Sequence, residues 1–154
     1  MGQIDDRLVE LELTLPEPMK PPGNFKLVTV HAGVAYVAGH PPISGTEILV
    51  QGAVGRDLSV DEGYNAARLT ALSVLASIKQ ELGELDRVTK WLRVVGYVQT
   101  APNFHDNAEV VNGFSDLIVE LWGEEGRHAR SAPGQGPSPL DVPIIIDAIV
   151  AVAH

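Results

Sequence analysis

The stretch Val142-Pro143-Ile144-Ile145-Ile146-Asp147-Ala148-Ile149-Val150 constrains this chain more than any other, because it is apolar at successive rather than alternate positions. Neighbouring side chains of a strand point to opposite faces, so such a run predicts a strand buried on both sides. Each face then needs a cover, and the rest of the chain must supply it or another chain must.

Two long helices can cover one face. Ser59-Val60-Asp61-Glu62 has the form of a capping box, in which the serine side chain and the glutamate three residues on satisfy free helical amides reciprocally. Tyr64, Ala67, Ala71, Leu75, Ile78 and Leu82 follow at helical spacing, and Gly83 supplies a left-handed stop. A second helix is predicted from a cap at Asn103 to near Gly123, with Val111, Phe114, Leu117, Ile118 and Leu121 inward. Strands are predicted at 26–31 and 34–38, joined as a hairpin through Ala32-Gly33 and ended by Gly39-His40-Pro41-Pro42. After a looser segment at 48–55, further strands are predicted at 89–99, 127–132 and 142–153, and Gly134 to Pro139 reads as a connecting loop. Before all of this, Ile4, Leu8, Leu11 and Leu15 form a helical stripe, and the four prolines between Pro16 and Gly23 read as an extended arm.

The expected architecture is a single α+β domain over 1–154, with a helix and proline-rich arm at 1–23 and a core at 24–154. Its core order is β-β-α-β-α-β-β, with two helices on one face of a mixed sheet. No helix is left for the other face, so a neighbouring subunit is the economical cover and a closed ring such as a homotrimer is expected.

Composition excludes several functions. The formal charge of −9 and only eleven scattered basic residues oppose binding to a phosphate backbone, so no nucleic-acid partner is expected. Cys is absent, and no apolar run approaches the ~20 residues needed to span a bilayer, so the expectation is a soluble, disulfide-free chain. Met1 to Asp6 lacks the basic and apolar segments of a secretory signal, which makes a cytoplasmic location the default expectation. His31, His40, His105, His128 and His154 are too dispersed for a zinc pattern, and no Walker loop, G-x-G-x-x-G or G-x-S-x-G is present. Neither metal nor cofactor is expected.

The densest polar cluster within strand-like sequence is Gly126-Arg127-His128-Ala129-Arg130-Ser131-Ala132. Alternation puts His128 and Arg130 on one face. A half-buried arginine needs a counter-anion, and its planar fork suits a carboxylate, supplied either by a ligand or by one of twenty acidic residues. His128 is a candidate for orienting a ligand or shuttling a proton, against the plainer role of a packing histidine. Asp147 interrupts the apolar strand and needs a partner or a subunit seam, where it would steer a water or hold Arg130. Asn112 similarly interrupts a helix face.

Four segments carry a resemblance: Gly39-His40-Pro41-Pro42, Gly52-Ala53-Val54-Gly55-Arg56-Asp57-Leu58, Asn112-Gly113-Phe114-Ser115-Asp116-Leu117, and Gly126 to Ala132. In that order, and together with Leu15-Pro16-Glu17-Pro18, they resemble a divergent branch of the RidA (YjgF-type) family. The resemblance implies a chorismate-mutase-like fold and a homotrimer with ligand sites between subunits. It further implies that Arg130 clamps the carboxylate of an amino-acid-derived enamine or imine, with Asn112 and His128 lining the cleft. Deaminating members hydrolyse such compounds, 2-aminoacrylate among them, to a 2-oxo acid and ammonia. Their acidic residue on the last strand falls here at Ile145, which cannot activate water; Asp147, two residues on, is the doubtful substitute. Phe25 stands where those members carry a tyrosine near the site. The expected function is therefore enamine/imine deamination, and the alternative is a non-catalytic trimer that binds small carboxylates at its clefts.

Overall fold

A computed structural model describes residues 2–154. Helix α1 (Gln3–Glu10) is followed by strands β1 (Val28–His31), β2 (Val34–His40), β3 (Ile43–Ser44) and β4 (Glu47–Ile48). Helix α2 (Val60–Leu82), strand β5 (Val88–Gln99) and helix α3 (Asn107–Trp122) come next, then β6 (Ala129–Ser131), β7 (Gly134–Gln135) and β8 (Ile144–Val152). The main sheet runs β1-β2-β8-β5-β6, with β7 also beside β5, while β3 and β4 form a separate hairpin. β1, β2, β8 and β5 pair antiparallel, whereas β6 and β7 lie parallel to β5. The sheet is mixed, and α3 provides the crossover that a parallel β5–β6 pairing requires.

Strand β8 is last in sequence and central in space. Ile144, Ile146, Ala148 and Val150 are buried on the helix face, whereas Ile145, Asp147 and Ile149 are only half-buried on the other. The expectation of burial on both sides thus holds for one face within a single chain. α2 and α3 pack on that face, and α2 is enclosed so fully that every residue from Thr70 to Ile78 is buried. The proline arm contributes to this enclosure: Leu15, Pro16 and Pro18 share a groove with Ala76 and Lys79 of α2. The Asp86 carboxylate accepts from the Gln3 and Ile4 amides at 2.8 and 2.9 Å, satisfying donors that α1 leaves free at its N-terminus.

The capping box at Ser59 and Glu62 forms with both of its hydrogen bonds, and Gly83 ends α2 at a φ of 87°. Several boundaries differ from those expected: α1 ends at Glu10, short of Leu11 and Leu15, and β6 and β8 are shorter than 127–132 and 142–153. Asp106, not Asn103, precedes α3; Asn103 takes a φ of 68° in the preceding turn, since asparagine serves left-handed turns as readily as caps. β3 and β4 form a hairpin whose second strand, Glu47–Ile48, opens the segment expected to be loose. Gly134–Gln135 pairs with Val98–Gln99 instead of looping free. Lys26 and Leu27 stay outside β1, and β2 extends two residues further, to His40.

His40 explains that extension. It is fully buried where the β2–β8 register shifts, its Nδ1 is 2.6 Å from the Ala38 carbonyl oxygen, and its Nε2 is 2.7 Å from Ser77 Oγ on α2. The carbonyl can only accept, so Nδ1 carries the hydrogen and the ring is held as its Nδ1–H tautomer. Burial lowers its pKa below the usual histidine value, with the Ala38 bond opposing. Gly113 fixes the helix crossing, since a Cβ there would lie 2.0 Å from the Tyr64 carbonyl oxygen of α2.

Two outcomes are expected. Gly113→Ala lowers unfolding stability by about 2–3 kcal/mol, because backbone rather than a flexible side chain must yield; chemical denaturation measures it. For His40, both states are neutral above about pH 6.5. Below that value the unfolded state takes up a proton that the folded state resists, so stability falls on acidification. The melting temperature should drop from pH 7.5 to 5.5, less steeply in His40→Gln.

Candidate functional site

The chain turns back along α3 through two glycines, the first required by its left-handed φ and the second by close backbone approach. Gly123 ends the helix at a φ of 62°, and a Cβ on Gly126 would lie 2.7 Å from the Ile118 carbonyl oxygen. This return lays β6 against α3, so that the alternate residues His128 and Arg130 face the stripe formed by Ala108, Asn112 and Ser115, at i, i+4 and i+7.

Arg130 Nη1 donates to Asn112 Oδ1 at 2.8 Å and to Ser115 Oγ at 3.1 Å, and Nη2 donates to the Ala108 carbonyl oxygen at 3.3 Å. All three acceptors are neutral. His128 shares Ser115, with Nε2 2.9 Å from the same hydroxyl oxygen, while Nδ1 lies 2.7 Å from the Gly126 carbonyl oxygen. Its ring meets Phe114 edge-on at 6.4 Å, and Phe114 meets the buried Trp91 at 5.8 Å, tying the site to the core.

A cleft of about 660 Å³ opens beside these groups, walled by Tyr64, Ser115, Asp116, Glu120, His128 and Arg130 among others. Its two acids are already engaged. Asp116 accepts from the Tyr64 hydroxyl at 2.7 Å, which raises the tyrosine's pKa, and Glu120 pairs with Arg68 at 3.1 Å. Among the described residues no carboxylate lies within ion-pair distance of Arg130. Burial lowers the Arg130 pKa, and the charge of Asp116 only partly offsets this. The arrangement is a half-buried, well-oriented cation with no anion of its own, and such a group can receive one from solution.

Of the residues singled out in the sequence, Arg130, Asn112 and His128 come together and Asp147 does not. Within β5, Val94 pairs with Arg130 and Val95 with Asp147, so the two lie on opposite faces of the sheet. Asp147 therefore does not hold Arg130 of its own chain. Burial raises its pKa and the Arg93 charge opposes the rise, while Arg93 itself donates to Ser131 Oγ at 2.8 Å. Ile145, opposite Tyr97, shares this open face and crowds Gly39, where a Cβ would come within 2.8 Å of Ile145 Cγ2. Phe25 is half-exposed and lines a different depression, with Lys26, Ser77 and Gln80. Ser115, Tyr64 and Arg93 are not among the site residues expected from the sequence; the spacing Asn112-x-x-Ser115 on one helix face was the available signal for Ser115. Among the described residues no group of acids and histidines could hold a metal ion, and no helix is long and apolar enough to cross a membrane.

Residues 5–149 match the family model described as "YjgF/chorismate mutase-like, putative endoribonuclease". Protein TCP17 of Trypanosoma cruzi is 35% identical over 150 residues, which are 97% of this chain and 94% of that protein. The crystal structure of Atu1372 from Agrobacterium tumefaciens, a protein of unknown function, is 38% identical, covers 97% of this chain and 92% of its own, and superposes with a TM-score of 0.88. A Shewanella oneidensis MR-1 protein carrying the same endoribonuclease description is 30% identical, with a TM-score of 0.93 over 98% of this chain and all of its own.

A cation with only neutral partners adds little to folding. Arg130→Met is expected to change unfolding stability by less than about 1 kcal/mol in either direction, where breaking a buried ion pair would cost about 3–5 kcal/mol. Urea titration of the two proteins distinguishes these outcomes.

Proposed function

The chain belongs to the YjgF/chorismate mutase-like family, and from that premise we propose that it is a reactive-intermediate deaminase acting as a homotrimer. Its substrate is a small enamine or imine bearing a carboxylate, such as 2-aminoacrylate and its imine tautomer. The observation that carries this reading is the Arg130 guanidinium, oriented by Asn112 and Ser115 beside the cleft and without a carboxylate partner. A substrate carboxylate supplies the missing charge. Water then adds to the imine carbon, and the resulting amino alcohol collapses to a 2-oxo acid and ammonia. The imine is already electrophilic, so holding it and a water in register accounts for most of what the protein must do.

Asp147 enters this reading only through assembly. The open face that it shares with Ile145 and Ile149 is the surface on which another copy would pack, and a cleft completed there would contain residues of two chains. Phe25, on its own depression, would likewise serve a neighbour's cleft.

One observation favours a second reading. Ile145 occupies the position expected of the water-activating acid, and Asp147 lies on the face opposite Arg130. A trimer that binds small carboxylates without transforming them fits both facts. The endoribonuclease description is disfavoured by the net charge of −9 and by a cleft wall that contains Asp116 and Glu120.

Release of 2-oxo acid and ammonia from 2-aminoacrylate generated in situ tests the proposal. The wild-type protein should accelerate release, and Arg130→Ala should lose at least about tenfold in kcat/KM, the least expected for a charge-assisted contact. No acceleration, with carboxylate binding retained, would replace the deaminase by the binding trimer. Asp147→Asn separates the water-positioning role, since it should slow turnover without weakening binding.

A further inference from the structure

Donor and acceptor chemistry fixes the direction of every hydrogen bond that joins His128 to Arg130. The Gly126 carbonyl oxygen only accepts, so His128 Nδ1 carries the hydrogen of that 2.7 Å bond. The neutral ring then offers a lone pair at Nε2, and the Ser115 hydroxyl donates to it at 2.9 Å. Arg130 Nη1 can only donate, so its 3.1 Å bond ends on the Ser115 oxygen. A single serine oxygen therefore stands between the imidazole and the guanidinium, and its proton points to the imidazole.

Protonation of the ring reverses one of these bonds. Nε2 gains a hydrogen and donates it to Ser115 Oγ, which then accepts from both His128 and Arg130. The serine hydrogen, displaced from Nε2, becomes free to be donated into the cleft. One proton taken up at Nε2 thus adds both a positive charge and a hydrogen-bond donor beside Arg130.

Among the described charged groups around His128, Arg130 is the one left without an ionic partner. From α2 Tyr64 lines the cleft, and from α3 Asp116 and Glu120 do, with Arg68 of α2 paired to Glu120. Asp116 is bonded to Tyr64, Glu120 is paired with Arg68, and Arg127 is paired with Glu124 at 3.1 Å. Arg130 is the remaining charge, and it has no ionic partner among the described residues. Burial lowers the His128 pKa below the usual histidine value, the bond to Gly126 opposes it, and the Arg130 charge adds a smaller lowering.

We propose that Ser115 and His128 are positioning residues for Arg130, forming a proton-coupled relay that sets how tightly the guanidinium holds an anionic ligand. This rests on the reading of Arg130 as a carboxylate clamp. An anion docked on Arg130 offsets the charge that opposes ring protonation, so binding draws a proton onto His128. By linkage, a proton on His128 strengthens binding. For one added charge at this range, the affinity gain on acidification is about three- to tenfold.

The test uses 2-oxobutanoate as an unreactive carboxylate probe, with affinity measured calorimetrically from pH 5.5 to 8 for the wild type, Ser115→Ala, Ser115→Thr, His128→Gln and Arg130→Ala. Expected is a three- to tenfold tightening on acidification in the wild type, kept in Ser115→Thr, reduced in Ser115→Ala to what the His128 charge alone supplies, and flat in His128→Gln. A second measurement follows the His128 ring proton by NMR without probe. Its titration should move in Ser115→Ala, which loses the partner of Nε2 in both charge states, and should move to higher pH in Arg130→Ala, which loses the opposing charge. A Ser115→Ala profile parallel to the wild type, with an unmoved His128 titration, overturns the relay and leaves the clamp standing. Absence of wild-type binding, or equal binding by Arg130→Ala, overturns the clamp and with it the relay's role.

Discussion

The insertion of β8 between β2 and β5 is the constraint on which the rest of this molecule depends. It gives the sheet its centre from the end of the sequence, so the pairing that organises the core joins segments far apart along the chain. The nine residues of this strand serve two partners, with one register shift against β2 and two against β5, and Ile144, Ile146, Ala148 and Val150 face the helices. A slip of one residue would turn Asp147 into the core and Ile146 out of it. The placement of every group on the open face follows from that register.

The same register explains what could be read from the sequence and what could not. The capping box, the glycine stops and the inward stripes of both long helices are local signals, and they located α2 and α3 with errors only at the ends. Asn103 misled because its two common uses, helix cap and left-handed turn, carry the same one-letter signature. The relation of Arg130 to Asp147 is of a different kind. It depends on β5 pairing one neighbour through Val94 and the other through Val95, and no pattern within either segment encodes that single-residue offset. Ser115 was hidden for a similar reason: a serine on a helix has no visible purpose until a strand brings a histidine and an arginine to it.

Charge is distributed with the same economy. Most arginines and lysines of this acidic chain are paired with a carboxylate or, like Arg87, bonded to backbone carbonyls, and the pairs secure helix ends and turns. Arg130 on the helix side and Arg93 on the open side are bonded instead to neutral oxygens, each through a serine of a neighbouring element. A surplus of twenty acids over eleven bases makes this arrangement harder to maintain, since free carboxylates are plentiful. In the cleft it is maintained by engaging the nearest acids elsewhere: Tyr64 holds Asp116 and Arg68 holds Glu120.

The strands at the two borders of the sheet are short. β1 has four residues, while on the far side β6 has three, β7 has two, and Pro133 sits between them. Proline withholds the amide that an incoming strand would need, and short borders offer few others. Growth of the sheet by addition of strands from another molecule is therefore limited, by length at β1 and by length and Pro133 at β6 and β7. What remains is a half-buried face, and copies meeting through such a face with rotational symmetry would close on themselves, so any assembly built that way would be finite.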